Sequence, residues 1–439
     1  MRPEEVTGLG TLAGDATAGV ALQARDMHEA IARRVFASLG RTGAPVELVH
    51  DRIASLAYDG ARGLSGGLVR MSSHAIAATR STGAAPLESS TFGRLALGAL
   101  NGVWGDRLQR QRNALALTMT LRRGGRDVGL GPGELARAYP DATPKLAVFV
   151  HGLCQIDDAW KLGAERHIPY GTRLQSELGF TPLYVRYNSG RHISENGRLL
   201  ARLLDDATQS WPVEVAEIAM IGHSMGGLVS RSACHYASTD GERTDPAGQR
   251  TDRGDEQTDT TRARIPPPAW PAKVRHVFTL GSPHCGAPLE KAATAATGAL
   301  ARLPETRGFA RVLKARSSGI KDLGHGYLVD EDWLDQDPDA FMQQAGSVIP
   351  FLDCANHYFV CATVSRDANA PLGRIVGDLL VLRESAWGKK RRGERMQFPV
   401  DHYRHVGEAN HFDLLNHPAI YDQLRGWLAP APALAAPAS

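Results

Sequence analysis

The sequence predicts an α/β fold: a mostly parallel central sheet flanked by helices, with an N-terminal helical extension and a cap insertion. Three observations predict it. From about residue 144, short apolar runs alternate with helix-compatible stretches, the pattern of strands joined by helical crossovers. Residues 1–130 instead carry apolar side chains at helical spacing. Two long segments that fit neither pattern interrupt the second region.

In the extension, Val20, Ala24, Met27, Ile31, Val35 and Leu39 recur at helical spacing. Val46 to Tyr58 and Phe92 to Trp104 are further helix candidates. No motif there carries chemistry. The plain expectation is a helical layer packed on the core; the sharper one is a flap over an active site or a membrane-surface contact.

Strand candidates follow at Leu146 to Val150, Leu183 to Tyr187, Ile218 to Ile221, Val274 to Leu280, Tyr358 to Val364 and Gln397 to Val406. Gly197 to Thr208, Leu228 to Ala237 and Pro418 to Leu428 read as helices. The catalytic domain expected from this pattern covers 144–428. Residues 239–268 are polar and charged and read as a disordered insertion, 286–345 as a cap or lid, and 429–439 as a disordered tail. The basic run Lys389 to Arg395 reads as a solvated loop.

Composition narrows the function. The chain has 439 residues, 43% of them hydrophobic, and a net charge of +3. That balance argues against a dedicated nucleic-acid binder. Five cysteines without a CxxC argue against a disulfide framework or cysteine zinc site. The acidic N-terminal residues lack the form of a secretory signal, and no apolar run reaches the roughly 18 residues of a membrane span. The expectation is a cytoplasmic protein with, at most, peripheral membrane contact.

Gly222-His223-Ser224-Met225-Gly226 matches G-x-S-x-G between a strand candidate and a helix candidate. A sharp strand-to-helix turn exposes a serine hydroxyl at the top of a sheet, and glycines are needed where the turn touches its neighbours. A serine needs an adjacent base, and the base an orienting acid, in the chain order Ser, Asp/Glu, His. After the last strand, His405 sits within the strand candidate, and His417 precedes Pro418 and suits a helix start. His411 stands in the intervening loop and is the candidate base. Asp378 is the candidate acid, with Asp367 and Glu384 as rivals. The oxyanion donors expected are the backbone N–H groups of Met225, after the nucleophile, and of Leu153, in the loop His151-Gly152-Leu153. A reactive thiol at Cys154 is a weaker idea, since no basic partner is evident around it. His151, Asn188, His192 and His223 are candidates for lining the substrate. No HExxH or comparable metal spacing is apparent, and no cofactor or metal is expected.

These pieces together resemble the α/β-hydrolase superfamily and, more narrowly, bacterial lipase-like and GPI inositol-deacylase-like serine esterases. The resemblance rests on Val148 to Leu153, Tyr184 to Gly197, Ile221 to Gly227, Thr279 to Glu290, Gly377 to Val381 with Glu384 to Gly388, and Ala409 to Pro418. It implies a Ser224–Asp378–His411 triad with Leu153 and Met225 as oxyanion donors, acting on a small-molecule or lipid ester. Where such proteins read Gly-Asp-Gly-Leu-Val-Pro, this chain reads Gly-Asp-Leu-Leu-Val-Leu, so a differently shaped acid loop is expected. Two other functions fit the same sequence: an acyltransferase or thioesterase on this site, and a non-catalytic lipid- or partner-binding protein on the same scaffold.

Overall fold

A computed structural model gives the architecture. It describes residues 1–18, 66–80, 83–239, 268–286, 316–334, 346–347, 349–366 and 399–429, with single positions at 25, 59, 63, 336, 378, 381 and 385. The helix candidates at 20–39 and 46–58, almost all of the 239–268 insertion, most of the 286–345 cap, the 389–395 basic run and the tail lie outside the described residues.

Among the described residues, eight strands form one sheet in the order β2-β1-β4-β3-β5-β6-β7-β8. They are β1 (Thr120–Arg123), β2 (Arg126–Val128), β3 (Lys145–Val150), β4 (Phe180–Arg186), β5 (Glu217–His223), β6 (Val274–Leu280), β7 (Asn356–Thr363) and β8 (Tyr403–Gly407). The pairings from β4 through β8 are parallel, whereas β1 pairs antiparallel with both β2 and β4. This is the α/β-hydrolase arrangement the sequence predicts.

The parallel strands read as continuous apolar runs because both faces are covered. Leu146, Val148 and Val150 of β3 join one core with Leu183, Val185 and the helices α4 (Ile193–Gln209) and α5 (Met225–Ser238). Ala147 and Phe149 join the other with Ile221, Phe278, Tyr358 and the helices α3 (Tyr170–Leu178) and α7 (Pro418–Leu428). Helix α4 buries Ile193, Asn196, Gly197, Leu200, Leu203, Leu204 and Ala207, a stripe at helical spacing. A Cβ at Gly197 would sit 2.2 Å from Ser232 Oγ, so glycine sets how closely α4 crosses α5.

The sheet starts earlier than expected. Strands β1 and β2 fall inside residues 1–130, read from the sequence as wholly helical. Their turn, Gly124-Gly125, has φ of 58° and 77°, the paired positive values of a tight hairpin turn. The hairpin's charged side chains hide it from a hydrophobicity pattern, and the fold pairs two of them, Arg122 and Asp127. Arg186, at the end of β4, binds Glu88 at 2.6 Å and Asp127 at 2.8 Å. Arg122 takes Asp127 at 2.5 Å. The sixth strand is also shorter than expected, because Val400–His402 is a turn of 3-10 helix before β8.

Upstream, residues 3–18 and 66–78 are helical, and α1 (Thr91–Arg110) packs against the segments that follow β3 and β4. A Cβ at Gly98 would lie 2.9 Å from the Cys154 carbonyl oxygen, one at Gly102 2.2 Å from Cys154 Sγ, and one at Gly105 1.8 Å from Asn188 Oδ1. Asn101, fully buried, donates to the Leu97 and Leu115 carbonyls and accepts from the Leu117 N–H, fixing the chain as it leaves α1 for β1. A short helix α2 (Pro132–Ala138) follows the hairpin.

Leu204→Ala, in the α4 stripe, is expected to destabilise the fold by about 2–5 kcal/mol through lost burial and a residual cavity. Urea unfolding checks this; a change well under 1 kcal/mol would mean that α4 is not part of the core.

Candidate active site

The segments at the carboxyl ends of β3, β5, β6 and β8 meet at one edge of the sheet, with Asp378, which follows β7, beside them; this is the usual place for chemistry in this architecture. Ser224 links β5 to α5 with φ 54° and ψ −122°. A side-chain-bearing residue there stores about 1–3 kcal/mol of strain. Its neighbours leave no choice. A Cβ at Gly222 would sit 2.4 Å from the Gly227 nitrogen, and one at Gly226 2.1 Å from the Val150 carbonyl oxygen. The turn is pinned by Ser224 N–H donating to the Leu280 carbonyl at 2.8 Å. The serine hydroxyl makes no hydrogen bond among the described residues.

His411 and Asp378 form a buried pair, 2% and 1% exposed. His411 Nδ1 lies 2.7 Å from Asp378 Oδ2, and the His411 backbone N–H donates to the Asp378 carbonyl at 3.0 Å. The other carboxylate oxygen accepts the Val381 N–H at 2.7 Å. The acid and the ring are thus held by both main and side chain. The missing Cβ of Gly281, φ +62°, would lie 3.1 Å from the His411 ring, so the end of β6 gives way to the imidazole. The rival acids Asp367 and Glu384 lie outside the described residues. His417 caps α7, its Nδ1 accepting the Ala419 N–H at 3.2 Å. His405 bonds Thr363 at 2.8 Å within the sheet.

The loop after β3 approaches the serine directly: a Cβ at Gly152 would be 3.0 Å from Ser224 Cβ. Gly152 N–H donates to Gln155 Oε1 at 2.8 Å and Cys154 N–H to Ser189 Oγ at 3.1 Å. Between them the Leu153 N–H, like that of Met225 at the first turn of α5, has no acceptor among the described residues. Cys154, exposed in part, is held at φ 59° with its sulfur against Gly102, and desolvation by these neighbours pushes its thiol up, away from a reactive thiolate.

The four residues expected to line the substrate each make a bracing contact. His151 is buried, and burial lowers its pKa to about 4, so the ring is neutral. Its Nε2 accepts the Tyr187 N–H at 3.2 Å, and Nδ1 therefore donates to the Gly152 carbonyl at 2.9 Å. Asn188 Nδ2 donates to the Gly105 carbonyl of α1 at 2.8 Å. His223 is fully buried between loops. His192 stacks on Trp333, centroids 3.7 Å apart, and meets the buried Asp322 carboxylate at 3.0 Å. All four brace loops through backbone groups or a cap residue. A buried bracing polar side chain and a substrate-facing one look alike in a sequence.

Asp322 belongs to α6 (Ser318–His325), within the segment expected from the sequence to form a cap. It also accepts the Ile193 N–H at 2.8 Å, while Gly319 N–H donates to the Gly190 carbonyl at 3.0 Å and Ser317 Oγ to the Gly102 carbonyl at 2.6 Å. This helix is therefore fastened both to α1 and to the loop before α4. Sequence reasoning missed Gln155 as part of this edge, and for α1 it offered a flap over an active site only as the sharper of two expectations. The spacing of Gly98, Gly102 and Gly105 was the available signal for α1.

Among the described residues, no group of three or more His, Cys, Asp or Glu is set to hold a metal ion, and no helix is long and apolar enough to cross a membrane.

Residues 141–303 match the family described as "Putative serine esterase (DUF676)". No curated protein matches the chain in sequence. Among solved structures, the chain is similar to the mature lipase BlEst2 of Bacillus licheniformis (16% identity, 65% of this chain and 92% of that one, TM-score 0.38). It is also similar to EstA of Clostridium botulinum (13% identity, 65% and 86%, TM-score 0.36).

Burial opposes the charged form of His192, but the Asp322 carboxylate outweighs it and holds the imidazole above its ordinary 6.5. A raised folded-state value gives stability that is full below about pH 6.5 and is lost as the pH rises through that raised value. The stability difference between wild type and His192→Asn, from thermal melts across pH, is therefore expected to be largest in mildly acidic buffer and to shrink in alkaline buffer. A difference that grows with pH contradicts the pairing. The eight strands give the chain the α/β-hydrolase fold, and residues 141–303 are similar in sequence to a family of serine esterases.

Proposed function

We propose that the protein is a serine hydrolase that cleaves carboxylic esters through an acyl-enzyme. The observation that carries this reading is the strained Ser224 turn at the head of α5, set at the same sheet edge as the buried His411–Asp378 pair, whose bond is 2.7 Å. Asp378 accepts the Nδ1 proton of His411, fixes the tautomer and leaves Nε2 as the base. When substrate closes the site, Nε2 removes the Ser224 proton and Oγ attacks the ester carbonyl. The negative charge that develops on the carbonyl oxygen is met by the Leu153 and Met225 N–H groups, which need not reorganise to receive it. The imidazolium, stabilised by Asp378, returns its proton to the leaving alcohol. Water then attacks the acyl-serine through the same base, releasing the acid. The substrate class is a small-molecule or lipid ester.

The test is steady-state hydrolysis of a p-nitrophenyl ester series by folded variants. Ser224→Ala is expected to lower kcat/KM by about 10⁴-fold or more, and Asp378→Asn, which leaves the ring in the wrong tautomer, by about 10²–10⁴-fold. Ser224→Ala turning over as fast as wild type would remove the serine from the reaction.

A further inference from the structure

His223 immediately precedes Ser224, and its side chain, 0% exposed, makes polar contacts with two loops at once. Nε2 lies 3.0 Å from the His411 carbonyl oxygen. A carbonyl can only accept, so Nε2 carries the proton. Nδ1 lies 3.2 Å from Gln155 Oε1. That oxygen already accepts the Gly152 N–H at 2.8 Å, and because a backbone N–H can only donate, the orientation of the Gln155 amide is settled. Only an imidazolium could donate to both oxygens. Burial, and then the charge of nearby His411, holds His223 well below its ordinary value, so the ring is neutral. The bond to His411 is then the directional one, and Nδ1 against Gln155 is a packing contact.

The geometry on the other side is equally tight. The missing Cβ of Gly152 would lie 3.1 Å from His223 Nδ1 and 3.1 Å from Gln155 Oε1. The ring of His223 stands 4.6 Å from that of His411 and 6.4 Å, edge on, from that of Trp160. It therefore cannot swing aside without moving one loop or the other.

We propose that His223 is a positioning residue that holds the His411 main chain by a hydrogen bond and, by its bulk against Gln155, keeps the Gly152–Leu153 peptide at a fixed separation across Ser224. This rests on the roles proposed above for Ser224, His411 and Leu153. Asp378 fixes the imidazole from its Nδ1 side and from the backbone N–H of His411; His223 fixes the same residue through its carbonyl. With that strut gone, the base and the oxyanion donors lose their common reference, and misplacement of about 1 Å is enough to slow a reaction about 10²-fold.

The experiment compares His223→Leu, which removes the donor, with His223→Gln, whose side-chain amide can still donate to the His411 carbonyl. Both are assayed on p-nitrophenyl butyrate, with thermal melts to confirm folding and Ser224→Ala alongside. His223→Leu is expected to lower kcat about 10- to 100-fold with KM within about threefold, and His223→Gln to recover most of the loss. A purely structural role would leave the two variants equally slow, and that result overturns the proposal, as does wild-type kcat in His223→Leu. If His223→Leu does not fold, Gln155→Ala takes its place: about tenfold loss in kcat supports the strut, and an unchanged kcat overturns it. Near-wild-type activity in Ser224→Ala condemns the reading of the site itself, whereas a Ser224→Ala slowed by orders of magnitude beside a fully active His223→Leu condemns only the positioning role.

Discussion

Ser224 occupies a backbone conformation, φ 54° and ψ −122°, that a side-chain-bearing residue adopts only under compulsion. The compulsion comes from close approach. Gly222 lies against Gly227, and Gly226 lies against the carbonyl oxygens of Val150 and His151, with no room for a methyl group at either glycine. These contacts seat the first turn of α5 on the end of β3. They thereby bring the N–H of Met225 towards the loop that carries Leu153. The hydrogen bond from Ser224 to Leu280 ties the same turn to β6, whose next residue, Gly281, makes space for His411. Loosening the turn would separate everything that converges on it.

Burial does the rest. His411 and Asp378 sit out of water, where a charged pair is expensive to maintain unless each polar atom is met. Here the carboxylate takes His411 Nδ1 on one oxygen and the Val381 N–H on the other, and the His411 backbone is bonded too. The N-terminal region belongs to this frame. Helix α1 uses Gly98, Gly102 and Gly105 to lie against Cys154 and Asn188, so it buttresses the loop that follows β3. Helix α6 and the Ser317 that caps it are bonded to α1 and to the start of α4, so α1 and α6 share one set of contacts around the serine edge.

Most of the parallel sheet was legible because buried parallel strands are uninterrupted apolar runs, as in Leu146 to Val150. Strands β1 and β2 were not, since Arg122 and Asp127 satisfy their charges in space, through partners such as Glu88 and Arg186 that no local window contains. At the site, Ser224 and His411 stood out by motif and chain order, and Asp378 by its place before the histidine. Gln155 did not, because its significance arises only when a segment 68 residues before His223 folds back against it. His151, Asn188 and His223 attracted notice as polar residues near strand ends, yet the fold turns their polar atoms onto backbone groups, a distinction that spacing does not encode.

The proposed reaction stands or falls with Ser224 as the nucleophile activated at this edge. The decisive measurement is incubation of the folded protein with a fluorophosphonate, followed by proteolysis and mass mapping. A single stoichiometric adduct on Ser224 is expected. A folded protein that stays unlabelled, or one labelled on a different residue, would remove the serine from that role.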